Sequence, residues 1–338
     1  MGRKNKSLMY QIRKRYDGML AIGQSKKADK AAGATLHKIY SWETYKSYIK
    51  HARYFADYVK SLGCDIRMLD DARAYVEAFL QNGIDRGLSS YSLHLQAAAL
   101  AKLYGCRSTD FDIKLPLRAR AKLTRSRGEK VRDKDFNENL HKDLVTFCRC
   151  TGLRRAELEQ IRGDDLRMID GKYYLEVTRG TKGGRHRTSP LIGTEDEIRD
   201  VVAQLRAAGK RKVYPHPSEH ADIHSYRADY AKRIYDAHAR DLRTIKNERL
   251  IMRNSIVIDA YESPGCRRDT SRRPEIYLPG KKADGSPIFQ PGWKDVPAAY
   301  YCQRDLRKIV YDRTALLTAS QALGHNRESV VAEHYLRA

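Results

Sequence analysis

Residues 151–158 read Thr-Gly-Leu-Arg-Arg-Ala-Glu-Leu, and the apolar residues ahead of them, Leu140, Leu144, Phe147 and Cys148, recur at helical spacing. That periodicity predicts an amphipathic helix that starts near Asp135 and ends at Thr151-Gly152. A second helix is predicted from about 155 to 161. Arg154 and Glu157 stand three residues apart on one face, so the carboxylate can brace the guanidinium. An exposed ion pair at this spacing would give the same pattern with no chemistry attached.

Working outward toward the C-terminus, Lys172-Tyr-Tyr-Leu-Glu-Val-Thr alternates as a strand, turns at Lys182-Gly-Gly and returns through Arg187-Thr-Ser-Pro-Leu. Helices are predicted over 195–208 and 224–240, and again over 314–323 and 329–336. Between 244 and 299 the periodicity fades while Gly, Pro and charge accumulate. There Glu275-Ile-Tyr-Leu and Pro287-Ile-Phe flank Asp284-Gly285, which predicts a hairpin.

Toward the N-terminus, Tyr45, Tyr48, Ile49, Ala52, Phe55, Val59 and Leu62 mark a helix that Gly63 ends. Two more follow, over 72–81 with Phe79 and Leu80 inward, and from Ser89 or Ser90 with Leu93, Ala97, Leu100 and Tyr104 inward. The organisation expected is a mobile basic arm over 1–35, a helical domain over 36–112, a basic linker over 113–134, and a second domain over 135–338. An insertion at about 240–300 interrupts the second domain. The fold class expected is mainly α with a small β-sheet.

Charge narrows the partners. Lys and Arg number 65 against 42 Asp and Glu, a formal charge of +23 in 338 residues. Such a field attracts polyanions, nucleic acid first among them. No apolar run approaches the ~20 residues that span a bilayer, and the basic segment 1–16 lacks the apolar core of a secretion signal. The six cysteines (Cys64, Cys106, Cys148, Cys150, Cys266, Cys302) form no CxxC pair, which argues against a zinc site and a disulfide framework. A reduced cytoplasmic protein without structural metal is expected.

Four segments carry the chemistry: Thr151-Gly-Leu-Arg154-Arg-Ala-Glu157-Leu, the turn bearing Lys182, His224-Ser-Tyr-Arg227, and Leu323-Gly-His325 followed by Tyr335. In this order they resemble the catalytic boxes of the tyrosine recombinases, the phage-type integrase family. The resemblance implies a helical SAM-like core-binding domain and a mixed α/β catalytic domain that together clamp DNA. It implies integration or another site-specific recombination of double-stranded DNA, through a covalent 3′-phosphotyrosine and a four-way junction in a homotetramer. It also points to a cytoplasmic, nucleoid-associated protein of a bacterial mobile element, with accessory directionality or DNA-bending factors as further partners.

The residue types suit that chemistry. A phenol attacking a phosphodiester adds negative charge to the non-bridging oxygens, and two guanidiniums, Arg154 and Arg227, can hold those oxygens without losing their own charge. Lys182 can give a proton to the departing 5′ oxygen. A phenol ionises near ~10, so Tyr335 needs a base or a strong positive field. His224 is the base expected, with His325 donating to the phosphate. Neither metal nor cofactor is called for, because the phosphotyrosine bond stores the energy for resealing.

Several alternatives stand beside this. Arg307, in Arg304-Asp-Leu-Arg307, is a rival second arginine close before the Leu-Gly-His segment, and Tyr311 and Tyr301 are rival nucleophiles. Ten residues separate His325 from Tyr335, one more than the commoner family spacing, which could shift the tyrosine along its helix. With Tyr335 so near the end, the 240–300 insertion is expected to serve assembly, or DNA contact through Arg267, Arg268, Arg272 and Arg273. A type IB topoisomerase would use nearly the same chemistry on one duplex, and a catalytically silent DNA-binding regulator would keep the fold without the reaction.

Overall fold

A computed structural model of the chain describes residues 6–63, 66–118, 136–262, 280–281, 287–288, 292–304 and 307–336. The chain divides into two compact units, residues 1–125 and 126–338. The fold is mainly helical, with small antiparallel sheets. No helix among the described residues is long and apolar enough to cross a membrane.

The first unit holds five α-helices among its described residues: α1 (Leu8–Asp17), α2 (Lys26–Ala31), α3 (Trp42–Ser61), α4 (Val76–Asp85) and α5 (Ser90–Tyr104). Ser41 and Ser89 cap α3 and α5 by accepting the backbone N–H of Thr44 and Ser92, at 3.2 Å each. The apolar stripe of α3 buries Ala52, Phe55, Ala56 and Val59 against Leu80 of α4 and Leu100 of α5.

The expected basic arm is not an arm over its described part. Leu8, Ile12 and Tyr16 recur at four-residue spacing on α1, Ile12 and Tyr16 are fully buried, and the Tyr16 hydroxyl donates to the Ala99 carbonyl at 2.7 Å. Leu8, Met9, Ile12 and Tyr16 sit on a short helix beside Gln11, Arg13, Lys14 and Arg15, and so short a stripe does not stand out in sequence although it packs on the core. At the other end, Phe111, Ile113 and Leu115 alternate inward onto this unit's core, so the segment expected to begin the linker is packed there. Residues 119–135 lie outside the described ones.

The second unit begins with α6 (Lys142–Thr151) and the single-turn α7 (Arg155–Leu158). Both are shorter than the sequence suggests, and Leu140, expected on the buried face, stands exposed ahead of α6. A three-stranded antiparallel sheet follows, β1 (Leu166–Ile169), β2 (Lys172–Val177) and β3 (Arg187–Pro190), with β2 in the middle. Across β2 and β3, Leu175 pairs with Ser189 and Val177 with Arg187. Helices α8 (Glu195–Ala208) and α9 (Ile223–His238) come next. Leu144, Phe147, Leu158, Leu175, Val201 and Tyr226 form one core of this unit.

The segment of faded periodicity holds more strand than expected. Strands β4 (Glu248–Arg253), β5 (Ile256–Glu262) and β8 (Trp293–Pro297) form a sheet in the order β5-β4-β8. The short β6 (Gly280–Lys281) and β7 (Pro287–Ile288) pair around the expected Asp284-Gly285 turn, which itself lies outside the described residues, as do Glu275 to Leu278. Strands β9 (Ala299–Arg304) and β10 (Arg307–Asp312) form a hairpin. Strand β4 buries Leu250, Ile251 and Met252 in succession, while β5 is largely exposed, so neither shows the two-residue alternation that betrays a strand. Arg267, Arg268, Arg272 and Arg273 lie outside the described residues. The chain closes with α10 (Arg313–Ala322) and α11 (Glu328–His334), which pack on α9 through Tyr230, Ile234, Leu316, Leu323 and Val331.

Candidate active site

The junction between α6 and α7 sets the first arginine. Helix α6 ends on Gly152 in the left-handed region (φ 60°), where a Cβ would stand 2.2 Å from the Tyr230 ring, so only glycine fits. The chain then runs extended through Arg154, whose backbone N–H donates to Glu157 Oε2 at 2.7 Å as α7 begins. Arg155 donates to the Ser218 and Ala221 carbonyls at 3.0 and 2.8 Å, which fixes the entry to α9. His224 and Arg227 follow on the first turns of α9.

Glu157 is the centre of the charges. Its side chain is fully buried and takes Arg154 Nη1 at 2.6 Å, together with Nη1 and Nη2 of Arg187 at 2.8 Å each. Arg227 Nη1 stands 4.0 Å away. Burial pushes the carboxyl up, but the hydrogen bonds and charge of Arg187, then those of Arg154, bring it down to about 2. Three guanidiniums around one carboxylate leave a local surplus of positive charge.

Arg227 is buried at 2% exposure. It donates to the carbonyls of Gly152 and Leu323 and, through Nε, to the Tyr335 hydroxyl at 3.2 Å. Burial pulls this guanidinium down to about 10, with Tyr335 opposing and Arg154 adding to the fall, so it stays a cation at neutral pH. Arg154 Nη2 also donates to the Leu323 carbonyl, at 3.2 Å. Two arginines therefore grip the end of α10, beyond which Gly324 turns the chain into His325.

His325 is pinned by its backbone N–H donating to the Ser320 carbonyl at 2.7 Å. Its Nε2 lies 3.3 Å from Arg154 Nη2 and 3.4 Å from the Tyr335 hydroxyl. A guanidinium can only donate, so Nε2 is the acceptor and the ring proton belongs on Nδ1. Burial and then Arg154, Arg227 and Arg187 drive the imidazole down to about 4, which agrees with a neutral ring. His325 thus faces the phenol as an acceptor. The β4–β5 turn of the insertion supports this loop: Ser255 Oγ donates to the Asn326 carbonyl at 2.7 Å, and Gln321 Nε2 to the Ser255 carbonyl at 3.2 Å.

Tyr335 follows α11 directly, with its N–H donating to the Val331 carbonyl at 3.0 Å. Despite the ten-residue spacing, its ring lies 5.3 Å from that of His224 and 6.0 Å from that of His325. With Arg154, Arg155, Asp222, His224 and Arg227 it lines a pocket of about 300 Å³. A larger cavity of about 1170 Å³ lies between β2, β3, α8 and α9, but it contains neither the phenol nor either imidazole. The smaller pocket is the one with chemistry.

The structure thus brings together Arg154, Glu157, His224, Arg227, His325 and Tyr335. Lys182 stands apart, exposed on a 3-10 turn (Lys182–Gly184), with no hydrogen bond or ion pair to Arg154, Arg227 or Tyr335. Arg307 opens β10 opposite Arg304, and its side chain is outside the described residues. Tyr311 packs edge-on against Tyr235 at 5.6 Å, and Tyr301 lies half-exposed beneath Lys308; neither lines the pocket. The sequence reading missed Arg187 and Arg155. Strand alternation was the available signal for Arg187, since it places that residue inward with Ser189, opposite Val177 and Leu175. Among the described residues no cluster of three His, Cys, Asp or Glu side chains converges as a metal site. No protein-family model and no curated protein matches the chain.

Proposed function

We propose that this chain is a tyrosine-type site-specific DNA recombinase that cleaves and rejoins strands through Tyr335. The observation that carries the reading is the meeting of Arg154, His224, Arg227 and Tyr335 around one pocket, with His325 Nε2 against Arg154 and the Tyr335 hydroxyl. The formal charge of +23 suits a DNA substrate.

In the proposed reaction a phosphodiester enters the pocket and its non-bridging oxygens meet Arg154 and Arg227. Its negative charge offsets the guanidinium field that holds His325 neutral, which makes the imidazole a better proton acceptor. The Tyr335 oxygen attacks phosphorus while its proton passes to an imidazole, with His325 Nε2 3.4 Å from the hydroxyl and His224 flanking the ring. The bond from phosphorus to the 5′ oxygen breaks, and that oxygen takes a proton from Lys182 once the turn carrying it reaches the DNA. Rejoining reverses these steps with a second 5′ hydroxyl. Assembly as a tetramer on paired sites, and the clamp made with the first unit, belong to the same proposal.

The test uses nicked suicide duplexes tiling the DNA that flanks the gene, mixed with wild type and Tyr335→Phe. A covalent protein–DNA band with wild type alone is expected. A band that survives in Tyr335→Phe moves the nucleophile elsewhere. Tight binding with no band on any duplex makes the chain a DNA-binding regulator. A two-site exchange assay then separates recombination from the single-duplex relaxation of a topoisomerase.

A further inference from the structure

We infer that Arg187 is a positioning residue for this reaction, setting Arg154 through the shared carboxylate of Glu157. The inference rests on the recombinase reading above. Arg187 begins β3 and turns inward opposite Val177, with its side chain only 6% exposed. Its two terminal nitrogens form a fork on Glu157, one to each oxygen at 2.8 Å. Its Nε donates to Ser189 Oγ and the Ala322 carbonyl at 2.9 and 3.0 Å. Every nitrogen of the guanidinium is engaged, and none faces the pocket that holds Tyr335.

Arg187 therefore acts at one remove. The charged groups facing Glu157 are Arg154 from the α6–α7 junction, Arg187 from β3 and Arg227 from α9; His325, after α10, meets Arg154 instead. Without Arg187 the buried carboxylate keeps one close cation, and burial then favours its neutral form. A protonated Glu157 no longer anchors Arg154 Nη1 as an ion, so the guanidinium that receives the phosphate loses its fixed orientation. Lysine would restore the charge without the fork, because an ammonium is a point charge and cannot bind both oxygens in one plane. An ion pair that merely joins β3 to α7 would show none of this pH behaviour.

The experiment follows the rate of covalent adduct formation on the same nicked duplexes across the neutral and mildly acid range. It compares wild type, Arg187→Gln, Arg187→Lys, Glu157→Gln and the double variant Arg187→Gln/Glu157→Gln. Arg187→Gln is expected to slow the adduct by about 10–100-fold, by analogy with the loss of outer partners that orient metal ligands, with DNA affinity unchanged. Its rate should show an acid limb beyond that of wild type, whose imidazole base already titrates as pH falls, since the Glu157 carboxyl now titrates inside the assay range as well. Arg187→Lys should recover part of the rate, and the double variant should be no slower than Arg187→Gln and lack the added acid limb. If Arg187→Gln does not fold, Arg187→Lys carries the test, with an intermediate rate and a weaker limb expected. A wild-type pH profile in the folded variants, with rate lost only in step with DNA affinity, overturns the inference and leaves the recombinase reading standing. Wild type forming no adduct on any duplex removes that reading and the inference with it.

Discussion

Replacing Tyr335 with phenylalanine should destabilise the second unit before any DNA is added. The ring would keep its place in the core formed with Tyr230, Leu323 and Val331. Only the hydroxyl is lost, and with it the acceptor for Arg227 Nε at 3.2 Å. Arg227 is 2% exposed, so water cannot readily replace the missing partner. A hydrogen bond to a charged group is worth about 1.5–3 kcal/mol. At about 2–4 °C per kcal/mol for a domain of this size, the melting temperature should fall by roughly 3–12 °C. Differential scanning calorimetry of wild type and Tyr335→Phe without DNA measures it, with Tyr301→Phe as the control, since Tyr301 is half-exposed. Equal melting temperatures, or a more stable Tyr335→Phe, would refute the reasoning. They would mean that the phenol does not rest on Arg227 in the free protein.

Two further outcomes follow from the same geometry. Gly152→Ala adds the left-handed backbone cost of roughly 1–2 kcal/mol to an overpacking cost of roughly 1–3 kcal/mol against Tyr230. Gly171→Ala, at φ 73° with nothing within 4 Å of its Cβ, incurs only the first, so equal denaturation midpoints for the two would remove the steric argument. The His325 ring should titrate by NMR near 4, below its ordinary 6.5. With the folded value depressed, the unfolded chain binds the extra proton between about 6.5 and 4. The stability contributed by this group is therefore complete above that window and is lost as pH falls through it. His325→Gln should flatten this part of the stability profile, and a wild-type ring titrating near 6.5 would contradict the guanidinium field.

The mainly helical character was legible because helices advertise themselves locally. The 195–208 helix coincides with α8, and Ser89 caps α5 as its position suggests. Strands were harder. Strand β2 alternates and was readable, whereas β4 buries three successive residues and β1 is mostly exposed, so neither carries a period of two. Helix α1 was read as an arm because its apolar stripe is short and set in a basic background. Among the site residues, Arg154 and Glu157 stood out through short spacing, and His325 and Tyr335 through their order.

What the sequence determined by itself is therefore whatever acts over a few residues: helical stripes, caps, the Arg154–Glu157 pair, and the set of cationic and phenolic side chains available for chemistry. The tertiary structure alone decided who meets whom. It turned Arg187 onto Glu157 from a strand 30 residues away, aimed two arginines at the Leu323 carbonyl, and left Lys182 outside the cluster. It also assigned the His325 proton, since that depends on Arg154 arriving as a donor. The reason is physical. A buried carboxylate or guanidinium must find partners wherever packing presents them, and packing depends on the burial of whole helices and sheets, not on residue spacing along the chain.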